Sequence, residues 1–436
     1  MRLFITALSA LILLPAVAIA IEIQEVKTKG GLTAWLVQES SIPFVSIDIQ
    51  FSGGASLDLP GKRGATNLMV GLLEEGTGDM DARDFAAATE GLAASFGFDA
   101  SNDSISISAK MLTENRDQAV ALLRRALIAP RFDQVSIDRV KSQVKSIIVS
   151  DLKDPDKIAS RAFSAAAFGD HPYGSSINGT EAELAALTRD DLITAQKNAM
   201  ARDRVFIGAS GDISPDELAQ LLDDLLGDLP ATGSPMPTQA TYQLTGGVSV
   251  IPYETPQSVA VFGHEGIKRD DDDFFAAYIL NHVLGGAGFE SRMMNEVREK
   301  RGLTYGIGTY LYPLDYGELY IGQVASSNDR MAEVIQVVTE EWARMAESGL
   351  TAEELSAAKT FLTGAYPLRF DGNSRIAGIL TGMQATGLDI TYPETRNDKV
   401  NAVTQQDIAR VAKRILRPED LRFVIVGQPE GVENTD

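Results

Sequence analysis

Arg298 and Tyr305 are the two residues of this chain whose types and setting point most directly to chemistry. They lie in the run Ser291-Arg-Met-Met-Asn-Glu-Val-Arg-Glu-Lys-Arg-Gly-Leu-Thr-Tyr305. Met293, Met294 and Val297 fall at helical spacing on one apolar stripe, which predicts a helix. Lys300 and Arg301 occupy its last turn, where cations suit the helix dipole, and Gly302 supplies a left-handed stop. A strand is expected next, from Leu303 to Tyr312. Arg298 follows Met294 by four residues, at the edge of the buried face. On residue type alone it could equally form a surface ion pair with a neighbouring glutamate, and Tyr305 could be a core aromatic of the strand. Both side chains are hydrogen-bond donors near neutral pH. Aimed at a carbonyl, such donors bind it and stabilise oxyanion charge, an effect of about 2.7–4 kcal/mol per donor in other enzymes. Neither can activate water.

The remaining chemistry of the chain is sparse. It has three histidines, His171, His264 and His282, and no two lie three or four residues apart, so no helix face presents a pair of imidazoles. Each reads as a structural histidine, His171 in the loop His171-Pro-Tyr-Gly174. The run Asp270-Asp-Asp-Asp273 could attract calcium, but it reads better as the capped and charged start of a helix beginning at Phe274. Ser210, in Gly-Ala-Ser-Gly-Asp212, lacks the frame of a nucleophile elbow. With no cysteine in the chain, disulfides and thiolate metal sites are excluded.

At 436 residues, 44% apolar and 23% charged, the chain has the composition of a globular protein too long for one ordinary core. Arg2 followed by the apolar run Leu3 to Ala20, ending Ala18-Ile19-Ala20, predicts a secretory signal peptide over 1–20, with a retained anchor as the other reading. No later apolar stretch approaches the ~20 residues of a membrane span. The formal charge of −21 becomes −22 without Arg2, which argues against nucleic acid or anionic lipid as partner. It suits a basic partner or, more simply, solubility.

Strands and helices alternate in mixed order, predicting an α+β fold. The chain also repeats itself. Leu187-Thr-Arg-Asp-Asp-Leu192 and Val403-Thr-Gln-Gln-Asp-Ile408 each open a helix. Arg204 to Asp212 and Arg422 to Gly427 each close with a strand and turn. Thr188 and Thr404 are 216 positions apart, as are Gly211 and Gly427. Two equal offsets predict two homologous mixed α/β-sheet domains from an internal duplication. Strands at Pro43–Phe51 and Ser258–Phe262, followed by helices from about Gly64 and about Phe274, match more loosely. Leu229 to Thr238 is rich in Pro, Gly and Thr. The expected division is 21–228, a linker over 229–246, and 247–436.

The string Glu296-Val-Arg-Glu-Lys-Arg-Gly-Leu-Thr-Tyr305 resembles the second half of the pitrilysin/insulinase family of inverted zinc peptidases, especially its two-chain bacterial and mitochondrial-processing type. The resemblance covers nearly all of the mature chain and implies one half of a clamshell chamber. It further implies that an Arg and a Tyr seven residues apart, here Arg298 and Tyr305, face a catalytic zinc from the opposite side of that chamber. Catalytic members carry His-x-x-Glu-His in the first domain. The frame here is Gly64-Ala-Thr-Asn-Leu-Met-Val-Gly-Leu-Leu-Glu-Glu-Gly-Thr77. Aligning Gly76-Thr77 with the family's Gly-Thr puts the two ligands on Asn67 and Gly71 and the base on Val70. The third ligand falls near Ser146 or Ile147. Val takes no proton, Gly offers no donor atom, and Asn alone is a poor zinc ligand.

The resemblance therefore implies a chain that binds no metal itself. It would pair as a heterodimer with a homologous chain that keeps His-x-x-Glu-His and holds the zinc. The substrates would be peptides, and the location the periplasm of a Gram-negative bacterium. By the same likeness, Gly97 to Asn102 with Ser104 to Ala109 would form a chamber edge. The alternative is a catalytically inert structural or peptide-binding subunit, against which the signal segment and the Arg/Tyr pair count.

Overall fold

The computed structural model describes residues 22–435, so the expected signal segment 1–20 lies outside the described residues. The first half builds one large sheet. Its strands are β1 (Gln24–Lys27), β2 (Thr33–Gln38), β3 (Phe44–Ser52), β6 (Ser95–Ala100), β7 (Ser104–Leu112) and β8 (Val205–Gly211), in the order β1-β2-β8-β3-β7-β6. A two-stranded ribbon, β4 (Gly76–Thr77) with β5 (Met80–Asp81), stands apart. The helices of this half are α1 (Ala65–Val70), α2 (Ala82–Gly91), α3 (Arg116–Ile128), α4 (Gln134–Asp151), α5 (Pro155–Phe168), α6 (Glu181–Ala186), α7 (Arg189–Ala199) and α8 (Pro215–Leu226).

The second half repeats the plan. Strands β9 (Gly247–Pro252), β10 (Gln257–Glu265), β11 (Ile307–Leu314), β12 (Gly317–Ser327) and β13 (Arg422–Gly427) form a sheet in the order β11-β12-β10-β13-β9. Its helices are α9 (Phe274–Asn281), α10 (Met331–Ser348), α11 (Ala352–Ala365), α12 (Asn373–Ala385), α13 (Tyr392–Ala402) and α14 (Gln405–Ile415). Reversed, this sheet reads β9-β13-β10-β12-β11, the same order as β2-β8-β3-β7-β6. In both sheets the closing strand runs parallel to the first of these five and antiparallel to the next. The fold is α+β with two homologous domains.

The local chemistry repeats as well. Thr188 caps α7 and Thr404 caps α14, each in a reciprocal box with an aspartate three residues on, Asp191 and Asp407. Gly211 and Gly427 end β8 and β13 with φ of 135° and 151°. A side chain at Gly211 would strike the Phe44 carbonyl at 2.2 Å, so this end of the strand admits only glycine.

The two halves exchange a helix. In β3, Val45, Ile47, Ile49 and Phe51 point into the core of the first half, each at most 1% exposed. The alternating polar residues face not solvent but α12, which comes from the second half. Ser46 hydroxyl meets the Ser374 hydroxyl at 2.9 Å, Thr381 donates to the Asp48 carbonyl at 3.0 Å, and Gln384 donates to the Ile207 carbonyl at 2.7 Å. Burial lifts the Asp48 carboxyl above its ordinary pKa. In return α5 crosses to the second sheet, where Ala159, Phe163 and Phe168 pack on Val259, Val261, Val424 and Val426.

A polar junction joins the hairpin turns of the two sheets. Tyr173 donates to Asp103 at 2.5 Å and accepts from the Tyr316 backbone N–H at 2.9 Å, while the other Asp103 oxygen accepts from the Asp315 N–H. Burial, together with the Asp103 charge, pushes the Asp315 carboxyl up to about 6.

A Cβ on Gly208 would sit 2.2 Å from the Ala377 carbonyl oxygen and 2.9 Å from Leu380 Cβ on α12. Gly208→Ala should therefore cost about 2 kcal/mol or more in urea unfolding. Gly364→Ala, in α11 with nothing nearby, should instead stabilise by about 0.5–1 kcal/mol. For Asp315, a native pKa above the unfolded one means that ionisation weakens the fold. The penalty is absent below about pH 4, grows as pH rises toward 6, and is complete above it. Asp315→Asn should raise Tm at pH 8 and leave it unchanged at pH 4.

Candidate functional site

The helix that would carry a zinc motif is short and tightly held. Gly64 starts α1 at φ 99°, and the Asp58 carboxylate accepts from Gly64 N–H (2.9 Å), Thr66 N–H (2.8 Å) and the Thr66 hydroxyl (2.7 Å). Arg63, only 7% exposed, ties this start to the Pro172–Ser175 loop through the carbonyls of Pro172 and Ser175 and to the Asn102 side chain. The three positions expected to hold ligands and base have other occupations. Asn67 donates to the Asn178 side chain at 2.7 Å, Val70 is buried in the core, and Gly71 continues the helical turn at φ −65°. On the facing helix α4, the Ser146 hydroxyl donates to its own helix at Ser142, and Ile147 is exposed. Glu75, the acid close behind the motif, is taken by Arg139.

These residues do not fit zinc. Among the described residues no group of three His, Cys, Asp or Glu side chains is placed to hold a metal ion. The donor set is an amide already spent on another amide, a methyl-bearing side chain and a glycine.

The second half keeps its donors and brings them together. Met293, Met294 and Val297 are buried, as their spacing predicts. The helix is wider than expected, however. Lys300 N–H bonds the Asn295 carbonyl, five residues back, and the same i→i−5 winding closes His282–Gly286 through Ala287 N–H. Such π-turns cluster at functional sites. Gly302 stops the helix at φ 60°, and Leu303 N–H reaches the Val297 carbonyl. The strand begins later than expected, at Ile307, which leaves Tyr305 in the turn before it.

Tyr305 is 90% exposed, which excludes a core role. Its neighbours are anchored: Leu303 is buried with its carbonyl held by Ser326, and the Thr304 hydroxyl donates to the Ala325 carbonyl at 2.6 Å. The Arg298 guanidinium lies 5.3 Å from the Tyr305 ring centre and 4.7 Å from that of Phe289. Among the described residues its one carboxylate contact is Glu299 at 3.5 Å, a loose surface pair. Phe289, 70% exposed, was not legible as a site residue. The signal was its place right after Gly285-Gly286-Ala287-Gly288, a glycine-rich stretch in which Gly285 abuts Thr309 of β11.

The other candidates have structural roles. His264 is fully buried, donates through Nδ1 to the Glu265 carbonyl and accepts at Nε2 from the Trp342 indole. Burial pushes its pKa down to about 4, so it stays neutral. His171 bonds the Thr238 carbonyl at 3.1 Å, and His282 stacks on Phe361 with centroids 5.2 Å apart. Ser210 bonds Asn373 of α12. The aspartate run departs from expectation: Asp273 precedes α9 without capping it through its side chain. Asp271 and Asp273 are instead drawn to Arg414 and Arg410 on α14, while the Asp271 carboxylate also accepts from the Asp273 N–H at 2.8 Å.

Residues 34–181 match the family model for insulinase (peptidase family M16), and residues 186–362 match the peptidase M16 inactive domain. The chain is 25% identical over 389 residues to the non-peptidase homolog YmxG of Helicobacter pylori, covering 88% of this chain and 89% of that protein. It is 26% identical over 413 residues to an uncharacterized zinc protease YmxG of Bacillus subtilis, covering 92% and 97%. A crystal structure of a peptidase M16 inactive domain from Pseudomonas fluorescens superposes with a TM-score of 0.89 at 26% identity, over 95% of this chain and all of that one.

If Asn67 is structural, Asn67→Ala should lower stability by about 1 kcal/mol through loss of the Asn178 bond. Chemical denaturation of the purified chain reads this directly.

Proposed function

Because this chain belongs to the insulinase (M16) peptidase family and is an inactive member of it, we propose that it is the non-catalytic subunit of a two-chain zinc peptidase. Its partner is a homologous chain with intact His-x-x-Glu-His, and the substrates are peptides that fit a chamber closed between the two. Arg298 and Tyr305 supply the partner's zinc site with donors for the scissile carbonyl and the oxyanion that develops on it. The observation that carries this reading is their pairing: a half-buried guanidinium beside an exposed phenol, on anchored flanks, in a chain whose own zinc position is void of ligands. Phe289 packs on the same guanidinium, 4.7 Å from its ring centre. The β6 edge, Ser95–Ala100, leaves backbone groups free to take up an extended peptide. The N-terminal segment 1–20 supports export to the periplasm, where the complex would work.

The test is steady-state kinetics of the reconstituted pair. Arg298→Ala should lower kcat about 100- to 1,000-fold with a smaller change in KM, the pattern of a donor used chiefly in the transition state. Tyr305→Phe should act in the same direction. Unchanged cleavage by both variants would leave the inert structural subunit as the better description.

A further inference from the structure

A cavity away from Arg298 has the character of an anion-binding site. It measures about 570 Å³ and opens between α12, α9, α13 and the turn after α11. Such a volume falls within the range of small-molecule pockets. Four arginines line it, Arg269, Arg369, Arg375 and Arg396, and no aspartate or glutamate does. The chain carries 60 acidic against 39 basic residues. A wall of cations without one acid is therefore not what its composition would scatter there.

None of the four arginines forms an ion pair with a carboxylate among the described residues. Other groups hold two of them in place. Arg396 is 5% exposed, bonds the Leu362 carbonyl at 2.7 Å and lies 4.6 Å from the Tyr366 ring centre. Arg269 donates to the Tyr392 hydroxyl at 3.0 Å and lies 4.3 Å from the Phe274 ring centre. Arg369 and Arg375 are exposed at the rim. An adjoining cavity shares Arg269 and is lined by Asp270, Asp271, Asp272 and Asp273, of which Asp271 and Asp273 are taken by Arg414 and Arg410.

The cavity is also kept open by its helix. Gly378 and Gly382 lie one turn apart inside α12, where each costs about 1 kcal/mol relative to alanine. Neither is needed for close packing. A Cβ at Gly382 would meet nothing within 4 Å, and one at Gly378 only an Asp48 oxygen at 3.9 Å. Two helix-weakening residues beside unfilled space fit a site whose volume is meant for something else. Ile379, Met383 and Leu388 give it an apolar floor.

We infer that this cavity binds a small organic anion, an oxyanion on an aromatic or aliphatic body, with the arginine forks gripping the charged end and the aromatic rings and floor taking the apolar end. Guanidinium forks match both carboxylate and phosphate, so either oxyanion is a source of the same recognition. The inference is independent of the proposed peptidase role, since it uses no residue of the Arg298 site.

Isothermal titration of the full chain tests it with N-acetylphenylalanine and phenyl phosphate as probes, against N-acetylphenylalaninamide as the uncharged control. At least one anionic probe should bind ten-fold or more tighter than the amide, and the better of the two identifies the oxyanion. Arg369→Ala/Arg375→Ala, at rim positions that bear no packing, should weaken that probe at least ten-fold. Gly382→Trp should abolish binding by filling the space. No binding of either anion at millimolar concentration, equal binding of the amide, or unchanged affinity in the double variant would overturn the inference.

Discussion

The fold rests on a reciprocal exchange: each half gives a helix to cover the open face of the other half's sheet. A sheet with one face covered by its own helices leaves a second face to be buried, and here α12 takes that place on β3 and β8 while α5 takes it on β10 and β13. The consequence reaches from sequence to site. Gly208 has no room for a side chain because α12 lies on it, and the Ser46 hydroxyl and the Asp48 carboxylate meet the hydroxyls of Ser374 and Thr381 on α12. Each half thus keeps its own core, and the apolar clusters under α5 and around α12 join the two.

On that frame the chain has lost one kind of chemistry and retained another. Around α1 the surrounding structure is intact, from the Asp58 cap to the Arg63 staple, while the groups that could ligate or deprotonate are replaced by an amide, a valine and a glycine. Around Arg298 the guanidinium and the Tyr305 phenol persist side by side, the first half-buried and the second exposed. Loss of stability does not explain this contrast, since both regions are well packed. The proposed division of labour between two chains accounts for it.

Much of this was legible in the sequence. The equal spacing of Thr188 and Thr404 and of Gly211 and Gly427 reported real equivalences, since capping boxes and strand-ending glycines are local requirements that sequence displays. The apolar stripe of Met293, Met294 and Val297 and the stop at Gly302 were likewise local. What could not be read was non-local. The alternation in β3 predicts a polar face but not that a distant helix covers it. The i→i−5 winding before Gly302 and the late start of β11 place Tyr305 in a turn rather than in a strand. Asp271 and Asp273 were misassigned as caps because Arg410 and Arg414 lie some 140 positions away along the chain. Phe289 gains meaning only from the guanidinium beside it.

The claim on which the account stands is that this chain holds carbonyl-gripping donors without any means of activating water. The most direct measurement is metal content, by elemental mass spectrometry, alongside peptide hydrolysis by the same purified chain incubated with excess zinc and desalted. The account predicts far less than one zinc per chain and no turnover above a chelator-treated control. One tightly retained zinc per chain, with cleavage that disappears on chelation and returns with the metal, would contradict it.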